Sequence, residues 1–125
     1  MLSLSKLQPI ICSENIPVAE KFYCDVLGLP VKGRSNGAVV FDVGGSELLV
    51  SPVPTTSPSE HTVMGFSVED VDAVVQSLQD KGVTFERFEH FPHEPNGILM
   101  TPDGARVAWF RDPDQNLLSV VQALK

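Results

Sequence analysis

The sequence has few of the residues that mark secreted or membrane-inserted proteins. It contains only two cysteines, Cys12 and Cys24, and they do not form a Cys-x-x-Cys pair. Such sparse thiols argue against a disulfide framework and predict a reduced, cytoplasmic protein. Residues 1–6 lack the basic start and long apolar run of a secretory signal, and no segment approaches membrane-spanning length. We therefore expect no membrane partner.

Basic residues are also scarce. The chain has 9 lysines and arginines against 16 aspartates and glutamates, which gives a net charge of -7. A protein that binds nucleic acid needs clustered positive charge to neutralise phosphates, so nucleic acid is not expected as a partner. The acidic surface is interpreted as a source of solubility. The sequence also lacks a Gly-x-Ser-x-Gly elbow, a glycine-rich phosphate loop and a zinc-protease motif.

What the sequence does contain is one pattern that occurs twice. In each half, an extended apolar run leads into an amphipathic segment that ends at a glycine, and the two copies are offset by about 54 residues. The first amphipathic segment predicts a helix over residues 16–27, with Asn15 as its cap and Gly28 after its end. The second predicts a helix over residues 71–80, because apolar residues recur there at i, i+3, i+4 and i+7.

The sequence around these helices has the alternation and the turn residues that are typical of β-strands. Gly44-Gly45 is a good signal for a two-residue hairpin. Proline, serine and threonine dominate residues 51–61, which predicts a linker. Strands are predicted at residues 8–12, 38–43, 47–50, 62–66, 83–85, 97–100, 106–110 and 117–121, with residues 30–34 as a weaker candidate.

These elements predict a single α+β domain that spans residues 1–125 and is built from two similar units. The first unit covers about residues 5–54, the linker about 52–60, and the second unit about 61–123. A unit of this size cannot bury its apolar face alone, so the two must pack together. Duplicated units of this shape usually form a ligand cleft between them.

Three motifs resemble those of a known superfamily: Phe22-Tyr23 ahead of Leu27-Gly28, Ser67-Val68-Glu69-Asp70-Val71, and Asp112-Pro113-Asp114-Gln115-Asn116. With them, nearly the whole chain resembles the vicinal oxygen chelate superfamily, which includes glyoxalase I, bleomycin-resistance proteins and extradiol dioxygenases. The resemblance implies two tandem βαβββ units whose curved mixed sheets surround a cleft. One departure is Gln115, where the family usually has glycine. If that turn keeps a positive φ, glutamine should cost about 1 kcal/mol.

Members of this superfamily that use a metal ion place ligands, typically His and Glu, at four strand positions facing the cleft. A divalent cation needs nitrogen or oxygen donors, which Leu and Val do not have. We therefore predict no metal site and no cofactor. A register error of one residue would place Glu47 at the second position, since such a slip turns a side chain to the other face of its sheet. The resemblance puts the four positions on Gln8, Leu48, Val63 and Ser119.

Other donors could replace the missing ligands. The fallback metal ligands are Glu47, His61, His90 and His93, and we interpret the three histidines as surface or partly buried residues. Cys12 shares its strand parity with the predicted cleft residues, but no base that could activate its thiol is evident, so packing is the favoured role.

The resemblance implies that the metal-free members, such as bleomycin-resistance proteins, bind a small organic molecule as dimers. We therefore expect a homodimer that sequesters a small-molecule ligand, and no catalytic residue is assigned. A second interpretation is a metal-dependent lyase, isomerase or dioxygenase with relocated ligands. A third is an accessory or regulatory domain with a vestigial cleft. Trp109 could serve equally as core packing or as a flat wall for the ligand. The expected lining is Gln8, Ile10, Leu48, Val63, Gly65 and Ser119, with Phe66 and Trp109 near it.

Overall fold

The computed structural model describes residues 1–123. Its internal contacts divide the chain into two compact units, Met1–Ser57 and a second that begins at Pro58. Within the described residues, each unit has a four-stranded mixed sheet and one α-helix, in the order strand, helix, three strands. The predicted α+β class with tandem βαβββ units is confirmed. The elements are β1 (Ile10–Ser13), α1 (Ile16–Lys21), β2 (Val31–Ser35), β3 (Ala38–Val43), β4 (Ser46–Pro52), β5 (Met64–Ser67), α2 (Val71–Asp80), β6 (Leu99–Met100), β7 (Arg106–Arg111) and β8 (Leu117–Gln122).

The helix of unit 1 begins as the sequence predicts. The Asn15 side chain accepts a hydrogen bond from the Val18 N–H at 3.3 Å, and proline occupies the first turn. After Lys21, however, the chain continues as one π-helical turn, Phe22–Val26. The Leu27 N–H there bonds the Phe22 carbonyl at 3.0 Å. The predicted helix is therefore present as far as Val26, but its last turn is π-helical, which an apolar stripe does not reveal over a single turn.

Sheet 1 has the strand order β1-β4-β3-β2, with β1 parallel to β4 and the other pairs antiparallel. The helical segment covers one face of this sheet. Tyr23 is fully buried there, with its ring centroid 5.8 Å from that of Phe41. The strand register places alternate residues on the opposite face. We call this the helix-free face of sheet 1, and its members are Ile10, Cys12, Val40, Asp42, Glu47, Leu49 and Ser51.

The β3–β4 hairpin confirms the prediction from Gly44-Gly45. Both glycines have positive φ values, 54° and 91°, as a tight two-residue hairpin turn requires. The turn fixes the register so that Asp42 is opposite Glu47 and Phe41 is opposite Leu48. Residues 30–34, the weaker strand candidate, lie almost wholly in β2.

Sheet 2 has the order β5-β8-β7-β6, with β5 parallel to β8. The helix α2 has the bounds that the sequence predicts, and the Asp70 side chain caps it by accepting from the Ala73 N–H at 3.1 Å. Arg106 on β7 ties α2 to the sheet through Asp72, with nitrogen–oxygen distances of 2.5 and 3.0 Å. No helix within residues 1–123 is long and apolar enough to cross a membrane.

The predicted strand at residues 83–85 was wrong. The Val83 N–H donates a hydrogen bond to the Leu78 carbonyl at 3.0 Å and so closes the C-terminus of α2. Gly82, just before it, has the left-handed backbone that such a helix end requires. The segment reaches the sheet only at Glu86, whose N–H bonds the Trp109 carbonyl at 2.7 Å. One backbone bond does not make a strand, so in the part of unit 2 up to residue 123 three strands, β6, β7 and β8, follow α2.

Sheet 2 also has one face that α2 covers and one that it does not. The covered face contains Arg106, which contacts α2, and the buried Ala108 and Phe110 two and four residues later. Alternation along β7 therefore turns Trp109 to the other side. The helix-free face of sheet 2 consists of Gly65, Ser67, Val107, Trp109, Arg111, Leu117, Ser119 and Val121.

The turn between β7 and β8 is closed by a buried carboxylate. One oxygen of Asp112 accepts from the backbone N–H groups of Asp114 and Asn116, both at 2.9 Å, and the other accepts from the Asn116 amide at 2.8 Å. This clamp explains why the first position of the Asp-Pro-Asp-x-Asn motif is aspartate and the last is asparagine. Gln115 within it has φ of 69°, so the turn keeps the positive φ that favours glycine.

We expect Gln115→Gly to raise the free energy of unfolding by about 1 kcal/mol, because glycine adopts this backbone conformation without a Cβ clash. The two bonds made by the Gln115 backbone, its N–H to Asp112 and its carbonyl to Arg111, need no side chain. Urea unfolding measures the change. Gln76→Gly in the middle of α2 is the control and should lower stability by about 1 kcal/mol. A loss of stability with Gln115→Gly would contradict the strain.

Candidate functional site

The first two predicted cleft residues lie on one side of unit 1. Ile10 is on the helix-free face of sheet 1 and is 58% exposed. Gln8 lies two residues before it, just outside the strand, and is also exposed. Ile10 is opposite Leu49 in the parallel pair of β1 and β4. Because the strands are parallel, two residues earlier on each of them Gln8 is opposite Glu47. Gln8 and Glu47 accordingly line the same surface depression.

Leu48 must be corrected. It is 1% exposed and lies in the core, opposite Phe41 and on the same face as Val50. Its neighbour Glu47 is on the face that turns away from the helix, a placement predicted from the sequence only for a register shifted by one. The physical reason is the period of two along a strand, which sends neighbouring side chains to opposite faces.

Glu47 is already paired with a cation. The Lys32 ammonium lies 2.5 Å from its carboxylate. The hydrogen bond from Lys32 lowers the pKa of Glu47, and the same contact raises the pKa of Lys32. Sequence reasoning missed Lys32 because residues 30–34 gave only a weak strand signal, which left the direction of their side chains undefined.

The depression around this ion pair has a volume of about 580 Å³, within the range of roughly 300–1,000 Å³ that is typical of small-molecule pockets. We call it the hairpin depression, because the turn of the β3–β4 hairpin forms one of its walls. Its lining residues are Lys6, Leu7, Gln8, Lys32, Gly45, Ser46 and Glu47.

In unit 2 the structure brings Gly65 and Ser119 together. They are direct partners in the β5–β8 register, and a Cβ atom built on Gly65 would lie 2.7 Å from the Ser119 hydroxyl oxygen. Glycine therefore gives the Ser119 side chain its space. Ser119 is 5% exposed. Val63 precedes β5 and is exposed, and its N–H bonds the Leu117 carbonyl at 2.9 Å.

Phe66 must also be corrected. It pairs with Val120, on the face of sheet 2 that α2 covers, and so it points away from the side that carries Gly65 and Ser119. Trp109, in contrast, is the direct partner of Ser119 on the helix-free face. Its indole N–H donates to the Thr62 hydroxyl at 3.0 Å. Trp109 thus has its polar atom satisfied and its ring partly exposed.

His93 helps to hold the Trp109 ring and has a structural role. Its Nε2 accepts from the Phe88 backbone N–H at 3.0 Å, and its Nδ1 lies 2.7 Å from the Gly97 carbonyl oxygen. This pattern requires the neutral tautomer with the proton on Nδ1. Phe88 in turn packs edge-on against Trp109, with ring centroids 5.2 Å apart. Both nitrogens of His93 are therefore committed to the backbone, which leaves neither for a metal ion.

We expect His93→Leu to lower the free energy of unfolding by about 2 kcal/mol, because it leaves a backbone donor and a backbone acceptor without their partner. His61→Leu is the matched control: His61 is exposed, so the same exchange should change stability by less than about 0.5 kcal/mol. Thermal unfolding of the two variants compares them, and equal losses would contradict the structural role.

The remaining donor candidates do not assemble. His61 and His90 are exposed, and His90 has a left-handed φ of 70° in its loop. Within residues 1–123, no group of three or more His, Cys, Asp or Glu side chains is arranged to hold a metal ion. Cys12 lies on the helix-free face of sheet 1 and is partly exposed, and neither cysteine forms a disulfide within residues 1–123.

Comparison with known proteins decides the family. A sequence model described as the "Glyoxalase/Bleomycin resistance protein/Dioxygenase superfamily" matches residues 7–120. The chain belongs to this superfamily. The match extends from Gln8 and its neighbours to Ser119, so it spans all four strand positions that the resemblance singled out.

Relatives of this superfamily member agree with the assignment. The chain is 34% identical over 119 residues to "Uncharacterized protein YraH" of Bacillus subtilis (strain 168), which covers 83% of this chain and 87% of that protein. Among solved structures, it is similar to TnmS3, "an antibiotic binding protein from Streptomyces sp. CB03234", with a TM-score of 0.74, 21% identity and coverage of 99% and 100%. It is also similar to lactoylglutathione lyase from Agrobacterium tumefaciens, with a TM-score of 0.72, 20% identity and coverage of 96% and 94%. At these identities, the solved structures support the fold alone.

The residues at the four superfamily positions do not fit a metal ion. In unit 1 they are an amide, Gln8, and a carboxylate, Glu47, that already forms an ion pair with Lys32. In unit 2 they are Val63, which has no donor, and the hydroxyl of Ser119. A transition metal prefers imidazole, thiolate or several carboxylates, and this superfamily member supplies one carboxylate that is bound to an ammonium group.

Proposed function

We propose that the protein binds and sequesters a small organic molecule without the help of a resident metal ion. The ligand would lie on the helix-free face of sheet 1 and extend into the hairpin depression. The observation that carries this proposal is the large exposed apolar side chain of Ile10 beside the polar groups of Gln8 and Glu47. An exposed apolar side chain offers contact area to the body of a small molecule, and neighbouring polar groups fix its orientation.

Two further observations support the proposal. The residues at the four superfamily positions supply too few donor atoms to hold a metal ion. The exposed face of the sheet can still contact an organic ligand. The similar fold of TnmS3, which is described as an antibiotic-binding protein, supports the proposal that a chain of this architecture binds an organic molecule. That likeness suggests the class of ligand to screen first.

A thermal-shift screen tests the proposal with antibiotics, aromatic metabolites and glutathione conjugates. A ligand present at a hundred times its Kd stabilises the folded state by about 2.7 kcal/mol, which raises Tm measurably. Ile10→Gln should weaken binding of any hit about tenfold, since it removes apolar contact area. Val18→Gln is the matched control, because Val18 is also a large exposed apolar residue but lies on α1.

Metal analysis of the purified protein is the second arm of the test. One tightly held divalent ion per chain, with glyoxalase-type activity that chelators abolish, would overturn the proposal in favour of a metal-dependent enzyme. The absence of any thermal shift would instead favour an accessory or regulatory domain.

We also propose that the protein is a cytoplasmic homodimer, and it is the dimer that the superfamily resemblance implies. Cys12 and Cys24 form no disulfide within residues 1–123, which supports a reducing compartment. Light scattering after size exclusion should give twice the chain mass of 13.6 kDa. A mass equal to that of one chain at micromolar concentration would rule out the stable dimer.

A further inference from the structure

The hairpin depression differs in charge from the rest of this acidic molecule. Its lining contains two lysines, Lys6 and Lys32, and one carboxylate, Glu47, so it carries one net positive charge. The whole chain carries a net charge of -7. A concave patch of the minority sign concentrates ligands of opposite charge.

The other basic side chains of the strands form salt bridges with acidic residues. Arg34 is paired with Glu20, Arg111 with Glu86, and Arg106 with two carboxylates. Lys6, in contrast, forms no salt bridge within 4 Å among residues 1–123, and its charge acts on Glu47 without such a contact.

Lys32 has donor capacity left over. An ammonium group has three N–H donors, and the carboxylate of Glu47 lies 2.5 Å from the nitrogen. That contact fixes where the ammonium is held without using all of its hydrogens. An oxyanion placed between Lys6 and Lys32 would therefore meet two positive groups, one of which is already oriented.

Neutral groups of the same depression suit an oxyanion as well. The Gln8 amide and the Ser46 hydroxyl both supply donors, and the Leu7 side chain supplies an apolar wall. Two residues beyond Gln8, Ile10 begins the exposed apolar part of the helix-free face. A ligand with an anionic end and an apolar body would match this order of groups along the chain.

We propose that the hairpin depression binds the anionic group, a carboxylate or a phosphate, of the small molecule that this protein takes up. Lys6 and Lys32 would pair with the oxyanion, and the apolar body would lie on Ile10. This inference rests on the proposed function and narrows its ligand to organic anions.

The test uses a pair of probes that differ only in charge. 1-Naphthaleneacetate and the neutral 1-naphthaleneacetamide have nearly the same shape, and inorganic phosphate probes the depression without an apolar body. Titrations followed by ¹H–¹⁵N NMR report binding residue by residue. We expect naphthaleneacetate and phosphate to shift the amides of Gly45, Ser46 and Glu47 in a saturable way, with binding that weakens as salt rises.

The variants K6Q and K32Q should each weaken the binding of 1-naphthaleneacetate about threefold, and the double variant should weaken it about tenfold. The binding of the neutral 1-naphthaleneacetamide should stay unchanged. The double variant K21Q/K81Q is the control with the same net charge, because both lysines lie outside the depression. Equal loss in the two double variants would show a general charge effect and overturn the inference.

The two proposals fail in different ways. If 1-naphthaleneacetamide binds as tightly as 1-naphthaleneacetate, the proposed anion site is wrong, while the proposed small-molecule site is retained. If neither naphthalene compound binds but phosphate shifts the hairpin amides in a lysine-dependent way, the anion site stands and the apolar ligand loses its support. If no probe gives a saturable, lysine-dependent shift, the anion site is overturned.

Discussion

Leu48→Ala is expected to lower the free energy of unfolding by about 3 kcal/mol, the cost of removing a buried leucine side chain and leaving a cavity. Leu48 is almost fully buried, faces Phe41 across the β3–β4 ladder and shares the covered face with Val50. Urea unfolding measures the change as a shift in midpoint at constant slope. If Leu48 lined the ligand site instead, the substitution would weaken ligand binding and leave stability nearly unchanged.

Leu49→Ala is the matched control for this register. Leu49 is the next residue of the same strand, lies on the helix-free face and is partly exposed. Its truncation should cost about 1 kcal/mol, because its side chain leaves water only in part. The same change should weaken a ligand identified in the thermal-shift screen, since Leu49 is the partner of Ile10. Reversed effects of the two substitutions would return Leu48 to the site.

The misplacement of Leu48 shows where sequence reasoning ends. Leu48-Leu49-Val50 is an unbroken apolar run, so alternation alone does not tell which residues face the core. The hairpin held the missing information. A two-residue turn at Gly44-Gly45 pairs Asp42 with Glu47, and two acidic residues that share one face cannot lie in the core. Turn geometry fixes register more firmly than a motif count does.

Other features were predictable because their causes are local. The helix starts at Asn15 and Asp70 follow from caps within three residues, and the positive φ of Gln115 follows from its turn. The role of His93 was not predictable, because it bonds backbone groups of Phe88 and Gly97. Every residue type has these groups, so the sequence does not indicate which of them a histidine will contact. The superfamily assignment came from motifs whose roles prove structural.

This difference explains why family membership says little about activity here. Tyr23 fills the core beneath Phe41, and Asp112 with Asn116 closes the last turn. These residues build the scaffold, whereas the four positions that carry chemistry in other members hold an amide, an ion-paired carboxylate, an apolar side chain and a hydroxyl. Function must therefore be argued from the site and not from the fold.

Gly97→Ala is expected to lower the free energy of unfolding by about 3 kcal/mol. Gly97 has φ of 97°, and a Cβ built on it would lie 2.9 Å from the Cβ of the buried Phe85. Left-handed backbone costs alanine about 1–2 kcal/mol, and the clash adds about 1–3 kcal/mol because a Cβ atom cannot move without its backbone.

Gly82→Ala separates the two contributions. Gly82 has nearly the same φ, 93°, but no atom lies within 4 Å of a Cβ built on it. It should lose only the backbone part, about 1 kcal/mol. The difference between the two variants therefore measures the contact with Phe85, and equal losses would show that this contact is relieved at no cost.

A second measurement on the same pair tests the link from Gly97 to the tryptophan. The Gly97 carbonyl holds His93, which lies with Phe88 against the ring of Trp109. Because Trp109 is the only tryptophan of the chain, its fluorescence reports on this cluster alone. Gly97→Ala should shift the emission of the folded protein toward longer wavelengths as water reaches the ring, and Gly82→Ala should leave it unchanged. An unchanged spectrum in both would mean that the Trp109 ring is held without the His93 bridge.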